Sequence, residues 1–170
     1  MSPKADRAQA KQMIATARTF ARERIDPEAA GWERDRRLPR EVITAAAAEG
    51  LCGLLVPAEL GGAGLGIADM AEVMGTLAYA DMGLAFSLVS HNNLAGAIAK
   101  KGSGHHRSQH LDAMLDGSTL GAFLLTEPGT GSDAAAITTS AIANGDRWIL
   151  NGEKAWVTNA AEAGLLSVYA

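Results

Sequence analysis

The chain has 170 residues, a net charge of -4, 48% hydrophobic and 20% charged residues. That is room for one ordinary domain, or for one domain and part of a second. No run of Lys or Arg is long enough for a nucleic-acid footprint, so no nucleic-acid partner is expected. The single cysteine, Cys52, excludes an internal disulfide framework and a Cys-based metal site. It lies in the apolar segment Leu51-Cys52-Gly53-Leu54-Leu55 and reads as a small buried hydrophobe. No apolar stretch predicts a membrane span: Met82 to Ala99 is interrupted by Ser87, Ser90, His91, Asn92 and Asn93. The N-terminal segment lacks a secretory apolar core. It is basic over residues 4–25 but contains Asp6 and Glu23, and it reads as a helix of the folded protein.

Up to about residue 118 the apolar spacing is helical. Met13, Ala17 and Phe20, with Ile14, Ala21 and Ile25, form one stripe at the 3.6-residue period, closed by Pro27. Pro39 opens a second helix carrying Val42, Ile43, Ala46 and Ala47, with Gly50 as its stop. Met70, Val73, Met74 and Leu77 make a third stripe. Leu84 to Ile98 is apolar nearly all round, which predicts a helix buried by its neighbours. Leu111, Met114 and Leu115 predict a short last helix stopped by Gly117.

After residue 118 the signals turn to β. Leu120 to Thr126 is a short apolar run, and Ile137 to Ala143 is rich in β-branched residues. Asn144-Gly145 predicts a hairpin turn into the strand Trp148-Ile149-Leu150. Asn151-Gly152 predicts a second such turn, leading to strands at Ala155 to Thr158 and Leu165 to Tyr169. The fold class is therefore α+β, with a helical domain over 1–118 and the beginning of an antiparallel β domain over 119–170.

Two segments stand out chemically. In Leu125-Thr126-Glu127-Pro128-Gly129-Thr130-Gly131-Ser132-Asp133, the spacing Gly129-x-Gly131-x-x-Ala134 imitates a dinucleotide fingerprint. That motif needs a helix directly after its glycines, and here Ile137-Thr138-Thr139 and a turn follow. The segment reads either as a polar loop offering N–H groups and hydroxyls to an anionic or polar ligand, or as a tight solvent loop. The second segment, Leu150 to Asn159, places Trp156 near Thr158. That pairing offers a flat apolar wall with a hydroxyl for a planar heterocycle, or simply a core tryptophan. His105, His106 and His110 have no Cys and no flanking Glu to complete a metal motif. His91 reads as a hydrogen-bonded core histidine. No Gly-x-Ser-x-Gly elbow is present, and nothing pairs Glu127, Asp133 or Glu153 as acid and base.

Thr126-Glu127-Pro128-Gly129-x-Gly131-Ser132-Asp133 and Asn151-Gly152-Glu153-Lys154-x-Trp156-Val157-Thr158-Asn159 together resemble the two signatures of the acyl-CoA dehydrogenase family. Ile25-Asp26-Pro27, Leu38-Pro39-Arg40-Glu41, Val56 to Gly64 and His91-Asn92 are similar to its minor motifs. The resemblance runs in order along nearly the whole chain. It implies an FAD flavoprotein catalysing α,β-dehydrogenation of acyl-CoA thioesters. It implies a flavin site drawn from Phe123, Leu125, Thr126, Gly131, Ser132, Trp156, Val157 and Thr158. Ser132 would also border the substrate's pantetheine, and the helix around Leu88 to Leu94 would line the acyl pocket. The expected partners are the acyl-CoA, an electron acceptor such as an electron-transfer flavoprotein, and further copies of the full-length chain. The expected location is the cytoplasm, or the mitochondrial matrix in a eukaryote. The family's glutamate base is expected in a C-terminal bundle beyond Ala170, so no residue of this chain is assigned as catalytic. The competing readings are a flavin oxidase or monooxygenase of the same fold, and a non-catalytic binding or assembly module.

Overall fold

The computed structural model describes residues 7–170. Residues 4–6 of the first expected helix lie outside them. Six α-helices come first: α1 (Arg7–Phe20), α2 (Ala29–Asp35), α3 (Arg40–Ala48), α4 (Ile67–Ala80), α5 (Met82–Lys101) and α6 (Gly104–Leu115). Four strands follow: β1 (Gly121–Leu124), β2 (Ser140–Asn144), β3 (Arg147–Asn151) and β4 (Leu165–Val168).

The stripe that predicts α1 is the face it buries: Ala10, Met13, Ala17 and Phe20. The helix continues as one π turn, Ala21–Ile25, in which Asp26 N–H reaches back to Ala21 O at 2.9 Å. The widened turn carries the chain to Pro27, which can donate no further helical bond. α2 gave no signal in the sequence because none of its seven residues is buried, so it carries no apolar stripe. α6 is longer than its stripe predicts. Ser103, within a Gly-Ser-Gly stretch that reads as a loop, is its N-cap, in a reciprocal capping box with His106. Cys52 is fully buried, and burial pushes its thiol up to about 12.

The glycine-rich segment after Val56 is structural. Gly62 presses against Val56 and the Gly53 carbonyl, where a Cβ would collide. Backbone bonds Ala63 N–H to Gly53 O, Gly64 N–H to Val56 O and Leu65 N–H to Leu54 O fasten it down.

α5 is the spine. Asp81 caps its start by accepting the Leu84 N–H at 2.6 Å. Its first half packs into a core with α1, α3 and α4. Its second half shares a smaller core with Val56, Leu111 and Met114. Three polar side chains on it hold distant segments. Asn92, with no exposed surface, accepts Leu54 N–H at 2.7 Å and donates to Leu51 O and Leu88 O at 2.8 and 2.9 Å. His91 accepts Gly121 N–H on Nδ1 at 3.1 Å, which leaves Nε2 to donate to Met114 O at 3.1 Å. Burial lowers its pKa to about 4, so it is a neutral core histidine joining the end of α6 to the start of β1. Ser87 Oγ donates to Asn159 Oδ1 at 2.7 Å, and Asn159 Nδ2 donates to Ser87 O and Gly121 O, both at 3.0 Å.

The β region departs from the expected pairing. β2 and β3 form the predicted antiparallel hairpin, with Asn144 opposite Arg147. Its two-residue turn is Gly145-Asp146, one position later than the Asn-Gly reading. The positive φ falls on Gly145 alone, the sign pattern of a type II′ turn. β1 and β4 instead run parallel, Gly121 opposite Leu165 through Leu124 opposite Val168. Antiparallel order therefore describes only the hairpin. Asn151-Gly152 makes no second hairpin turn, and Ala155 to Thr158 is not a strand. Gly152 lies so close to Thr139 that a side chain would not fit, and the chain leaves β3 there for an irregular crossing back to α5.

Glu127 fastens that hairpin to β1. One carboxylate oxygen accepts the Thr138 N–H and hydroxyl, both at 2.7 Å. The other accepts the Thr139 N–H at 2.9 Å, the Thr139 hydroxyl at 2.6 Å and Lys154 Nζ at 2.8 Å. The Glu127 and Lys154 side chains are only 5% and 7% exposed. Lys154 beside it, with the two threonines, holds the carboxyl well below its ordinary value of 4.5.

Two outcomes follow. Truncating Asn92 to Ala strands the Leu54 N–H and the Leu51 carbonyl in the core, and lowers unfolding stability by about 2–4 kcal/mol in urea titration. A carboxylate held low in the folded state contributes stability above its unfolded value and loses it as pH falls. The stability advantage of the wild type over Glu127→Gln is therefore complete above about pH 5 and shrinks progressively below 4.5, measured by thermal melts across that range.

Candidate functional site

The two signature segments, separate in the chain, meet at one cleft. Phe123, Leu125 and Thr126 come from β1 and its exit, and Ala155, Trp156, Val157 and Thr158 come from the crossing after β3. Ala155 N–H bonds Thr126 O at 2.9 Å, and Lys154 Nζ bonds Leu125 O at 3.0 Å, so the clasp at Glu127 also sets the spacing of these walls. The third wall is α5, through Phe86, Val89, Ser90 and Asn93. Their i, i+3, i+4, i+7 spacing is one face of a helix. The cavity measures about 200 Å³.

Trp156 is not the core residue its type suggests. It is 92% exposed and its backbone is left-handed, with φ 57°. Asn159, also left-handed at φ 69°, is latched to Ser87 and Gly121 as described. Non-glycine residues in that region cost of order 1–3 kcal/mol each and persist only where surrounding contacts impose them. The Ser87–Asn159 latch is such a contact, and it presents the indole at the cleft mouth. Phe123 stacks at a tilt on Tyr169, ring centroids 4.7 Å apart, which ties β4 to this wall.

Six of the eight residues expected at the flavin line the cleft: Phe123, Leu125, Thr126, Trp156, Val157 and Thr158. Gly131 and Ser132 do not. They stand exposed on the loop after Glu127, which is closed by paired Glu127–Thr130 backbone bonds and by Thr130 Oγ1 donating to Ala136 O at 3.3 Å. A single 3₁₀ turn, Ala134–Ala136, follows, so the glycine spacing there opens no dinucleotide-binding helix. Within Leu88 to Leu94, Val89, Ser90 and Asn93 face the cleft, whereas Leu88, His91, Asn92 and Leu94 are core. Phe86, just outside that stretch, is a wall residue that motif reading missed. Its position one turn before Ser90 on the same helix face is the signal that locates it.

The donor set suits a planar, polar-edged ring. An exposed indole gives a flat face. The Thr126 and Thr158 hydroxyls have no hydrogen-bond partner among the described residues. No Asp or Glu lines the cleft. Glu127 is spent on five hydrogen bonds and held ionised, and Glu153 is exposed outside the cleft. No group of His, Cys, Asp or Glu among the described residues can hold a metal. No helix among them is long and apolar enough to cross a membrane.

Comparison with known proteins agrees with this geometry. Residues 7–118 match the acyl-CoA dehydrogenase N-terminal domain, and residues 122–170 match the middle domain. The chain is 35% identical over 153 residues to isobutyryl-CoA dehydrogenase of Dictyostelium discoideum, covering 90% of this chain and 37% of that protein. It is 38% identical over 162 residues to the human short-chain specific acyl-CoA dehydrogenase, covering 94% and 39%. Among solved structures, a glutaryl-CoA dehydrogenase from Mycobacterium smegmatis in complex with FADH2 superposes with a TM-score of 0.89 at 30% identity, covering 97% of this chain and 42% of that one. The chain thus spans about two fifths of the length of the relatives it matches. With both consecutive domains of the family recognised in order, and its two signature segments meeting at one cleft, the chain belongs to the acyl-CoA dehydrogenase family.

Proposed function

We propose that these residues form one wall of the flavin and substrate site of an FAD-dependent dehydrogenase that introduces a double bond α,β to the thioester of an acyl-CoA. The helical domain, 1–118, supplies the α5 wall, and residues 119–170 begin the β domain. The observation that carries the reading is the convergence of Phe123–Thr126 and Ala155–Thr158 on α5 in one cleft.

When bound, FAD supplies the two-electron acceptor for that oxidation. The chain's own residues bind and orient. Trp156 offers its face to the ring system, while the Thr126 and Thr158 hydroxyls and the backbone about Val157 serve its polar edges. Phe86 and Val89 exclude water from the side facing α5, and Ser90 and Asn93 border the acyl end. Gly131 and Ser132, exposed beside this wall, reach toward the outer part of the flavin and the pantetheine arm. The base for the α-proton comes from outside these residues, because the cleft has no carboxylate and Glu127 is already spent. An electron-transfer flavoprotein as acceptor, self-association of the full-length chain, and a cytoplasmic or mitochondrial matrix location complete the reading. The mitochondrial designation of the human relative supports the last.

The test is a titration of the 170-residue chain with FAD, followed by flavin fluorescence and visible absorbance. Weak, saturable binding is expected, with fluorescence quenched by the indole and resolved shoulders in the flavin band. Trp156→Ala weakens it by roughly 5- to 10-fold, the worth of one aromatic stack. No acyl-CoA turnover is expected from the chain alone. Equal affinity and an equal spectrum in the variant would remove Trp156 from the site. Turnover by these residues alone would overturn the placement of the base.

A further inference from the structure

A second cavity, of about 230 Å³, shares no lining residue with the cleft and is walled by three arginines: Arg36, Arg37 and Arg40. None of the three lies within 4.0 Å of a carboxylate oxygen among the described residues. Glu162 is the only acid on the wall. The other two polar wall residues, Ser87 and Asn159, are already bonded to each other.

Arg40 is the centre of this cluster. Its Nη2 donates to Gly117 O at 2.8 Å and to Ser118 O at 3.0 Å. Its Nη1 is buried and has no hydrogen-bond partner among the described residues. A buried guanidinium nitrogen left without an acceptor is costly, and a guanidinium presents its donors as a fixed fork suited to oxyanions. Arg40 also begins α3. The N-cap there, Pro39, makes no side-chain cap, so the positive end of the helix faces the same region. The chain reaches it through Arg36, whose left-handed backbone at φ 48° closes α2. Three cations against one carboxylate leave the lining of the cavity with a surplus of positive charge.

We propose that this cavity binds a small phosphate dianion, with Arg36 and Arg37 as its clamp and the Arg40 guanidinium as the inner positive charge. Its volume has room for a phosphate group together with its hydration or a small ester substituent, and the charge of its lining matches a double negative charge. The site is independent of the flavin reading, since it uses none of the cleft residues.

The test is the melting temperature and calorimetric Kd of the whole chain titrated with inorganic phosphate at constant ionic strength, with chloride as the control. A saturable stabilisation by phosphate, absent with chloride, is expected. Arg37→Gln weakens it roughly tenfold, Glu162→Gln tightens it, and Arg40→Met abolishes it. Arg40→Met also removes the bonds to Gly117 and Ser118, so the exposed Arg37 and Glu162 variants carry the test if it fails to fold. Glycerol phosphate as a second probe separates the sources. Tighter binding of the ester assigns a phosphate monoester, and binding of inorganic phosphate alone assigns the free ion. If phosphate acts no differently from chloride, or if the Arg37 and Glu162 variants bind as the wild type does, the cavity holds only water and the proposal falls.

Discussion

A polar side chain buried on a helix needs a hydrogen-bond partner, and α5 supplies one to Ser87, His91 and Asn92 by gripping chain segments far away in sequence. Asn92 satisfies the turn at Leu51–Leu54. His91 joins the end of α6 to the start of β1. Ser87 holds Asn159. Each bond meets the cost of burying a polar group and fixes a long-range position at the same time. The helical part and the strands are thereby registered against one helix, and both walls of the cleft are positioned from it.

The cleft inherits its shape from that registration together with the Glu127–Lys154 clasp. A buried ion pair is weak grounds for stability by itself, because desolvation offsets much of the attraction. Here the carboxylate also accepts two backbone N–H groups and two hydroxyls, so its full acceptor capacity is used. Lys154 is shared with the Leu125 carbonyl. The same two residues therefore hold the hairpin, the exit of β1 and the approach to Trp156. The glutamate inside the main signature is a fastening of the scaffold. A carboxylate this heavily stabilised as an anion is a poor proton acceptor.

Much of this was legible in the sequence wherever one face of an element meets the core. The stripes of α1, α3 and α4 are the residues those helices bury, and the all-round apolar character of α5 marks its central place. α2 was silent because none of its residues is fully buried and only Ala29 and Trp32 pack partly against the core, too few for a stripe. The extent of α6 was hidden because its start is fixed by a Ser103 cap inside a loop-like Gly-Ser-Gly stretch. The β region was read less well because its pairing is decided by long-range contacts. Asn151-Gly152 has the composition of a hairpin turn, but Gly152 is there for close approach to Thr139. Parallel pairing of β1 with β4 leaves no local mark, since their partnership spans the whole hairpin. At the site, six of the eight residues expected at the flavin line one cleft, while Gly131 and Ser132, in the same run as Thr126, lie exposed outside it beyond the Glu127–Thr130 turn, a local backbone reversal that the motif itself does not display.

Trp156 shows why that distinction matters physically. A tryptophan with 92% of its surface in water, on a left-handed backbone and anchored three residues on by Asn159, contributes little to packing and adds conformational cost. Phe86, 57% exposed, lines the same cleft, so apolar surface is concentrated at its mouth. The neighbouring hydroxyls of Thr126 and Thr158 are unpartnered within the described residues, as are the Ser90 and Asn93 side chains on α5, while Ser87, Asn159, Glu127 and Lys154 behind them are tied into the scaffold. Unmet apolar and hydrogen-bonding capacity therefore coincide in one place, in front of a scaffold held by the Ser87–Asn159 and Glu127–Lys154 contacts. Such a division of labour fits a surface whose missing contacts are completed by a flat, polar-edged ligand, with the scaffold behind it preorganised to receive one.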